Sequence, residues 1–315
     1  MVKYIVKRLL QLIPVILAIT FLSFALLRLA GGDAVTYFYE RRGTAVSQEV
    51  IDKGKALYGL DQPFLVQYGN WLKKMVSGDM GISYVSQKPV FSTFLEKLPA
   101  TILLTASSIM LTLLIALPLG IYSALKQNSK WDYLIRTFTF LGNSLPNFFV
   151  AMVLLYFLAI KLALLPVISG GVTLKGLILP TLTLTISMGA KYTRQVRAIV
   201  LEEVQKDYVV GAKARGVRFP VIMIRSVLRS SLFALITLLA LSIGSLLGGT
   251  AIVESIFMWD GVGKLVVDAI IMRDYPIIQA YVVWMSIIYA FVNLLTDIVY
   301  HLLDPRVGLE EVGNI

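Results

Sequence analysis

The run LLQLIPVILAITFLSFALLRL, residues 9–29, follows Lys3, Lys7 and Arg8 and carries no charge of its own until Arg28. A bilayer core of about 30 Å needs about 20 apolar residues at about 1.5 Å rise each, and this run supplies them. The apolar stretch of a cleaved signal peptide is shorter, about 7 to 15 residues, and ends in a small-residue cleavage site. We therefore read residues 9–29 as an uncleaved membrane span. Five similar runs follow, at 98–125, 134–164, 177–199, 231–256 and 277–303. Six spans predict an all-α, polytopic membrane protein with both termini on one side.

Composition agrees. The chain is 57% hydrophobic and 15% charged, with a mean hydropathy of +0.78, against about 45–50% apolar and about 25% charged in soluble domains. The net charge of +10 points to membrane topology rather than to nucleic acid, because no basic domain interleaved with aromatics is present. Alternate loops collect the basic residues. Lys3, Lys7, Arg8, Lys126, Lys130, Arg136, Lys191, Arg194, Arg197, Lys206, Lys213, Arg215, Arg218, Arg225, Arg229 and Arg306 fall on one side; Lys161, Lys175, Lys264 and Arg273 fall in short loops on the other. Positive charge marks the cytoplasmic side, so both termini and the loop 191–230 are expected there, in a cytoplasmic membrane.

The expected organisation has four parts. Residues 1–30 hold the cytoplasmic N-terminus and first span, and 31–97 form an extracytoplasmic cap. Residues 98–303 form the core transmembrane domain with its cytoplasmic loop 191–230, and 304–315 are a cytoplasmic tail. In the cap, a polar helix-like stretch at 47–58 is stopped by Gly59, and Asp61, Gln62 and Pro63 make a turn. An apolar-periodic stretch from Val66 to Met75 follows, and Gly78 and Gly81 break it.

The loop 202–231 reads EEVQKDYVVGAKARGVRFPVIMIRSVLRSS. It is too polar and basic for lipid yet rich in helix formers. Gly211, Ala212 and Ala214 keep one helical face small, and Gly216 can take a positive φ at a helix end. Such a helix can seat in a partner's groove; an ordinary interfacial loop facing lipid phosphates is the alternative.

The loop resembles the coupling motif of binding-protein-dependent ABC permeases of the peptide/nickel branch, on Asp207, Tyr208, Val209, Ala212, Ala214, Arg215 and Gly216, with Val227, Leu228 and Arg229 downstream. Ser226 and Ser230 depart from that branch, which usually has His and Asn there. The resemblance extends through Leu98-Pro99-Ala100-Thr101, Pro118-Leu119-Gly120, Ser144-Leu145-Pro146-Asn147-Phe148, Gly248-Gly249-Thr250 with Glu254, Gly261-Val262-Gly263, Asp274-Tyr275-Pro276 and Asp304-Pro305-Arg306. It implies a type I ABC importer permease fold and a non-catalytic subunit. The implied partners are a homologous second permease, two ATPase subunits, an extracytoplasmic solute-binding protein and membrane lipid. Asp207 to Gly216 would dock on the ATPase. The stretches 60–63, 66–69 and 81–90 look more like the nickel permease B subunit than the peptide permeases, so nickel, as ion or chelate, is the expected solute and di- or oligopeptides are the alternative.

Within the spans, Glu254 and Asp297 are pathway candidates because a buried carboxylate is costly; each would otherwise be hydrogen-bonded to a neighbouring helix. Asn143 and Asn147 flank Pro146, where a freed backbone carbonyl and amide side chains can line water or settle a kink. Thr250 closes a small-residue face with Gly244, Gly248 and Gly249, suited to a narrow pathway wall or to close helix packing. No cysteine is present, His301 is the only histidine, and no phosphate-binding Gly-x-x-x-x-Gly-Lys pattern occurs. No cofactor, resident metal or catalytic site is expected, and the energy source is external. An ion-coupled secondary transporter, the rival class, would need inverted repeats and midplane ionisable groups.

Overall fold

The computed structural model describes residues 2–29, 48–57, 59 and 61–303. The stretch 30–47, Tyr58, Leu60 and the tail with Asp304, Pro305 and Arg306 lie outside the described residues, as do the side chains of Asp297 and His301. Among the described residues the chain is helical, with one isolated bridge between Ile82 and Pro89 and no strand.

The elements in order are α1 (Val2–Leu29), α2 (Gln48–Leu57), α3 (Phe64–Val76), α4 (Val90–Leu125), α5 (Lys130–Ser144) and α6 (Asn147–Leu154), which runs on as a π-helical segment, Leu155–Lys161. Then come α7 (Leu174–Val204), α8 (Asp207–Ala214), α9 (Phe219–Ile222) with a second π-helical segment, Met223–Val227, α10 (Leu228–Ile256), α11 (Val262–Met272) and α12 (Tyr275–Leu303). The breaks expected around the cap helices are present. Gly59, Gly78 and Gly81 all have positive φ, at 67°, 86° and 80°.

Among the described residues, three helices are long and apolar enough to cross a membrane: Leu10–Leu29, Val90–Leu125 and Tyr275–Thr296. A fourth span is formed if Lys130–Ser144 and Asn147–Lys161 are counted together. The structure differs from the sequence expectation here. The run read as one span at 134–164 is two helices bent by 102°. Pro146 lacks an N–H, and Leu145 before it is held extended at ψ 131°, which stops α5 outright instead of kinking it. The run at 177–199 is part of α7, which holds Lys191, Arg194 and Arg197 and buries Thr181, Thr183, Thr185 and Thr193.

The chain divides into two units, Met1–Pro99 with Asp260–Phe291, and Ala100–Trp259 with Val292–Ile315. In the first unit, α1 packs on α3 through Phe21 and Phe24, which meet Phe64 and Tyr68 edge to face at 5.3–5.7 Å. Trp284 stacks on Phe94 at 5.3 Å, and its indole N–H donates to the Met80 sulfur at 3.1 Å. Asp274, 1% exposed, gathers the loop before α4. It accepts from Ser83 Oγ at 2.5 Å and from the Tyr84 and Val85 amides at 3.1 and 3.4 Å.

The second unit is organised around α7. One cluster of Ala100, Leu104, Ala151, Leu179, Leu184, Leu246, Val253, Phe257 and Trp259 lies towards one end of it. A second cluster joins Ala124, Val196, Val200, Val209, Ile222, Met223, Val227 and Leu235. At Gly120 of α4 the approach to α7 leaves no room for a side chain, because a Cβ there would sit 2.6 Å from Val196 Cβ and 2.9 Å from the Thr193 carbonyl. Any larger residue must push the two backbones apart, at about 1–3 kcal/mol.

Candidate functional site

The segment after α7 folds as its residues dictate. Asp207 in the first turn of α8 complements the helix dipole. Gly216 ends the helix at φ +79°. Its N–H donates to the Lys213 carbonyl at 2.9 Å, and the Val217 N–H donates back to Ala212 at 3.1 Å, so two otherwise orphaned carbonyls are satisfied in one left-handed turn. A Cβ on Gly216 would meet nothing within 4 Å. The constraint at this position is therefore backbone conformation, with no clash inside the chain.

Val209, fully buried, anchors α8 among Val196, Val200, Ile222 and Val227, which contributes about 1.5–3 kcal/mol. Ala212 packs beside it, half-buried. Asp207, Val210, Ala214, Arg215 and Gly216 are exposed. The surface continues through Val217, Phe219 and Val221, with the Lys213 ammonium 4.8 Å from the Phe219 ring centre. α8 thus presents a firmly seated, partly apolar knob inside a basic loop.

A polar brace fixes its start. Glu203, buried at the end of α7, accepts from Lys206 Nζ at 2.5 Å and from the Tyr208 hydroxyl at 2.9 Å. Burial pushes the Glu203 carboxyl up, but hydrogen bonds from Lys206, Tyr208 and Ser230 outweigh it and hold it below its ordinary value. The same carboxylate raises Lys206, and burial followed by that hydrogen bond raises Tyr208. Ser230, which departs from the branch pattern, thus belongs to this brace.

The pathway candidates fall in separate places. Thr250 and Glu254 stand four residues apart on α10, both at 0% exposure. Thr101 Oγ1 donates to Glu254 Oε1 at 2.8 Å, and the Trp259 indole donates to the Ala100 carbonyl at 3.0 Å. Glu254 is therefore hydrogen-bonded to a neighbouring helix. Asn143 is exposed near the end of α5 and Asn147 half-buried at the start of α6, one on each side of the bend. Asp297 lies on α12, its side chain outside the described residues. No three of His, Cys, Asp and Glu gather as a metal site among the described residues.

Sequence reasoning missed Asp132. This carboxylate, 0% exposed, takes two hydrogen bonds from Arg197, Nε to Oδ1 at 2.7 Å and Nη2 to Oδ2 at 2.8 Å. Ser123 Oγ adds one at 2.5 Å and the Asn128 amide one at 2.9 Å. The Ser129-Lys-Trp-Asp132 spacing, with Ser129 capping the Asp132 amide, was the available signal.

Comparison with known proteins bears on the whole chain. A family model described as "Binding-protein-dependent transport system inner membrane component" matches residues 116–309, and its N-terminal companion matches residues 1–105. The oligopeptide transport system permease protein AppB of Bacillus subtilis is 37% identical over 98% of this chain and 99% of its own. The glutathione transport system permease protein GsiC of Pectobacterium atrosepticum is 35% identical over 98% and 99%. The metal-staphylopine import system permease protein CntB of Staphylococcus aureus is 33% identical over 97% and 98%. A chain of the inward-facing MetNI methionine ABC transporter superposes with a TM-score of 0.58 at 16% identity, covering 67% of this chain and 96% of that one, which shows a shared fold.

Proposed function

The chain belongs to the family of binding-protein-dependent transport system inner membrane components, and from that premise we propose that it is the permease half of an importer for short peptides or peptide-like solutes. Membership makes it a non-catalytic membrane subunit of an ABC importer, whose ATP is hydrolysed by separate ATPases. The finer reading has six spans, cytoplasmic termini, a second homologous permease, two ATPase subunits and a solute-binding protein outside.

The observation that carries the coupling role is the left-handed turn at Gly216 closing an α8 that is anchored by Val209 and braced through Glu203. Closure of the ATPases would move this rigid knob, and α7 and α10, which flank the loop, would re-tilt with it to switch access.

For the solute, the relatives reported above are named for oligopeptides, glutathione and metal-staphylopine. Two of those three are peptides, so a peptide is the better reading than the nickel expected from resemblance. The metal-staphylopine relative keeps a second reading open, in which a metal crosses as a chelate held by its own ligand and selected by the binding protein. Deleting the gene should confer resistance to toxic di- and oligopeptides and abolish uptake of a labelled peptide. Unchanged peptide uptake with a fall in cellular nickel under metal limitation would overturn the peptide reading in favour of the chelate.

A further inference from the structure

A cavity of about 370 Å³ opens between α5 and α7, lined among others by Tyr133, Arg136, Thr137, Phe140, Arg194 and Arg197. Its two walls are pinned at both ends. The Asp132–Arg197 ion pair closes one end, and at the other a Cβ built on Gly142 would lie 3.0 Å from Ala190 Cβ. Ten residues of helix separate Asp132 from Gly142, about 15 Å, so the space between is held open by fixed struts.

The lining has a definite chemistry. Tyr133, Arg136, Thr137 and Phe140 follow the i, i+3, i+4, i+7 spacing of one face of α5, and Arg194 and Arg197 stand one helical step apart on α7. Arg197 is already committed to Asp132. Arg136 lies 5.6 Å from the Tyr133 ring centre, and neither it nor Arg194 has a carboxylate partner among the described residues. Both are exposed. Two guanidiniums without a carboxylate partner among the described residues suit an oxyanion that accepts bidentate hydrogen bonds.

Size and surroundings favour a lipid over a bare ion. The volume falls in the roughly 300–1,000 Å³ range of pockets for organic molecules, more than an isolated phosphate would fill. Leu134, Phe138 and Leu141 are exposed on α5 next to the cavity, giving an acyl chain an apolar surface to follow. Basic pockets between membrane helices on the cytoplasmic side are sites for anionic headgroups.

We propose that the α5–α7 cavity binds the phosphate headgroup of an anionic phospholipid from the cytoplasmic leaflet, through Arg136 and Arg194. This rests on the cytoplasmic placement proposed above. The test uses the purified intact assembly, titrated with dioleoylphosphatidylglycerol or dioleoylphosphatidylcholine and read by native mass spectrometry. Because it needs neither nucleotide nor transport, its failure leaves the transport reading standing. Phosphatidylglycerol should be retained in preference to phosphatidylcholine. R136Q/R194Q should weaken that retention tenfold or more, and R136K/R194K should restore part of it. Should the double variant fail to assemble, Arg194→Gln alone is expected to weaken retention several-fold in an intact assembly. Equal retention of the two lipids by the native assembly, or unchanged retention by R136Q/R194Q, would overturn the proposal. So would displacement of the lipid by millimolar glycerol 3-phosphate or inorganic phosphate, which would mark a free-anion site.

Discussion

Arg197 on α7 holds Asp132 on α5 through two parallel hydrogen bonds of 2.7 and 2.8 Å, with the carboxylate wholly buried and the guanidinium 18% exposed. Removing one member of such a pair strands the other. Asp132→Asn should destabilise the protein by about 3 kcal/mol, the lower end of the range for buried pairs because Arg197 keeps some water contact. Thermal melting of the detergent-solubilised assembly checks this. The D132N/R197Q double variant should melt above either single variant, since it leaves no unpaired charge.

Gly216 makes a sharper test of the proposed coupling segment. With open space around it and φ at +79°, replacement strains the backbone alone inside this chain. Gly216→Asn should be tolerated, because Asn accepts the left-handed region, whereas Gly216→Val should cost about 1–2 kcal/mol locally. Membrane insertion should persist in both. Solute uptake and co-purification of the ATPase should fall for Val and be largely retained for Asn, measured in the deletion strain.

The Glu203 brace predicts a pH response. Glu203 titrates lower in the folded protein than its ordinary value of 4.5. Its contribution is therefore complete above that value and is lost as pH falls through the folded value. Hydrogen-exchange protection of residues 206–210, corrected for intrinsic rates, should be flat from about pH 6 to 8 and decline below about pH 4.5. Glu203→Gln should show lower protection at neutral pH and no such decline.

Topology follows from charge placement and can be read because the native chain lacks cysteine. Ser77→Cys should react with a membrane-impermeant thiol reagent in intact cells, and Ser230→Cys should react only after permeabilisation. Labelling of position 230 from outside would reverse the orientation.

The features legible in the sequence were those whose cause is local. Gly216 could be read as a left-handed stop because glycine alone tolerates that φ without cost, and the cap helices because Gly59 and Gly78 bound them. What escaped depended on partners far along the chain. Asp132 gains its role only through Arg197, 65 residues on. Pro146 was read as a kink within one span, whereas α5 and α6 are separate helices bent by 102°, each packed on α7. The amphipathic face of α5 was invisible as a cavity wall for the same reason.

If Asp207 to Gly216 couple transport to ATP hydrolysis, α8 touches the ATPase. A cysteine at exposed Ala214, carrying a short thiol-linked photo-crosslinker in the purified assembly, measures that contact. A covalent adduct with the ATPase subunit is expected from position 214 and none from a control at Ser77. An assembly that imports solute yet gives no ATPase adduct from position 214 would contradict it.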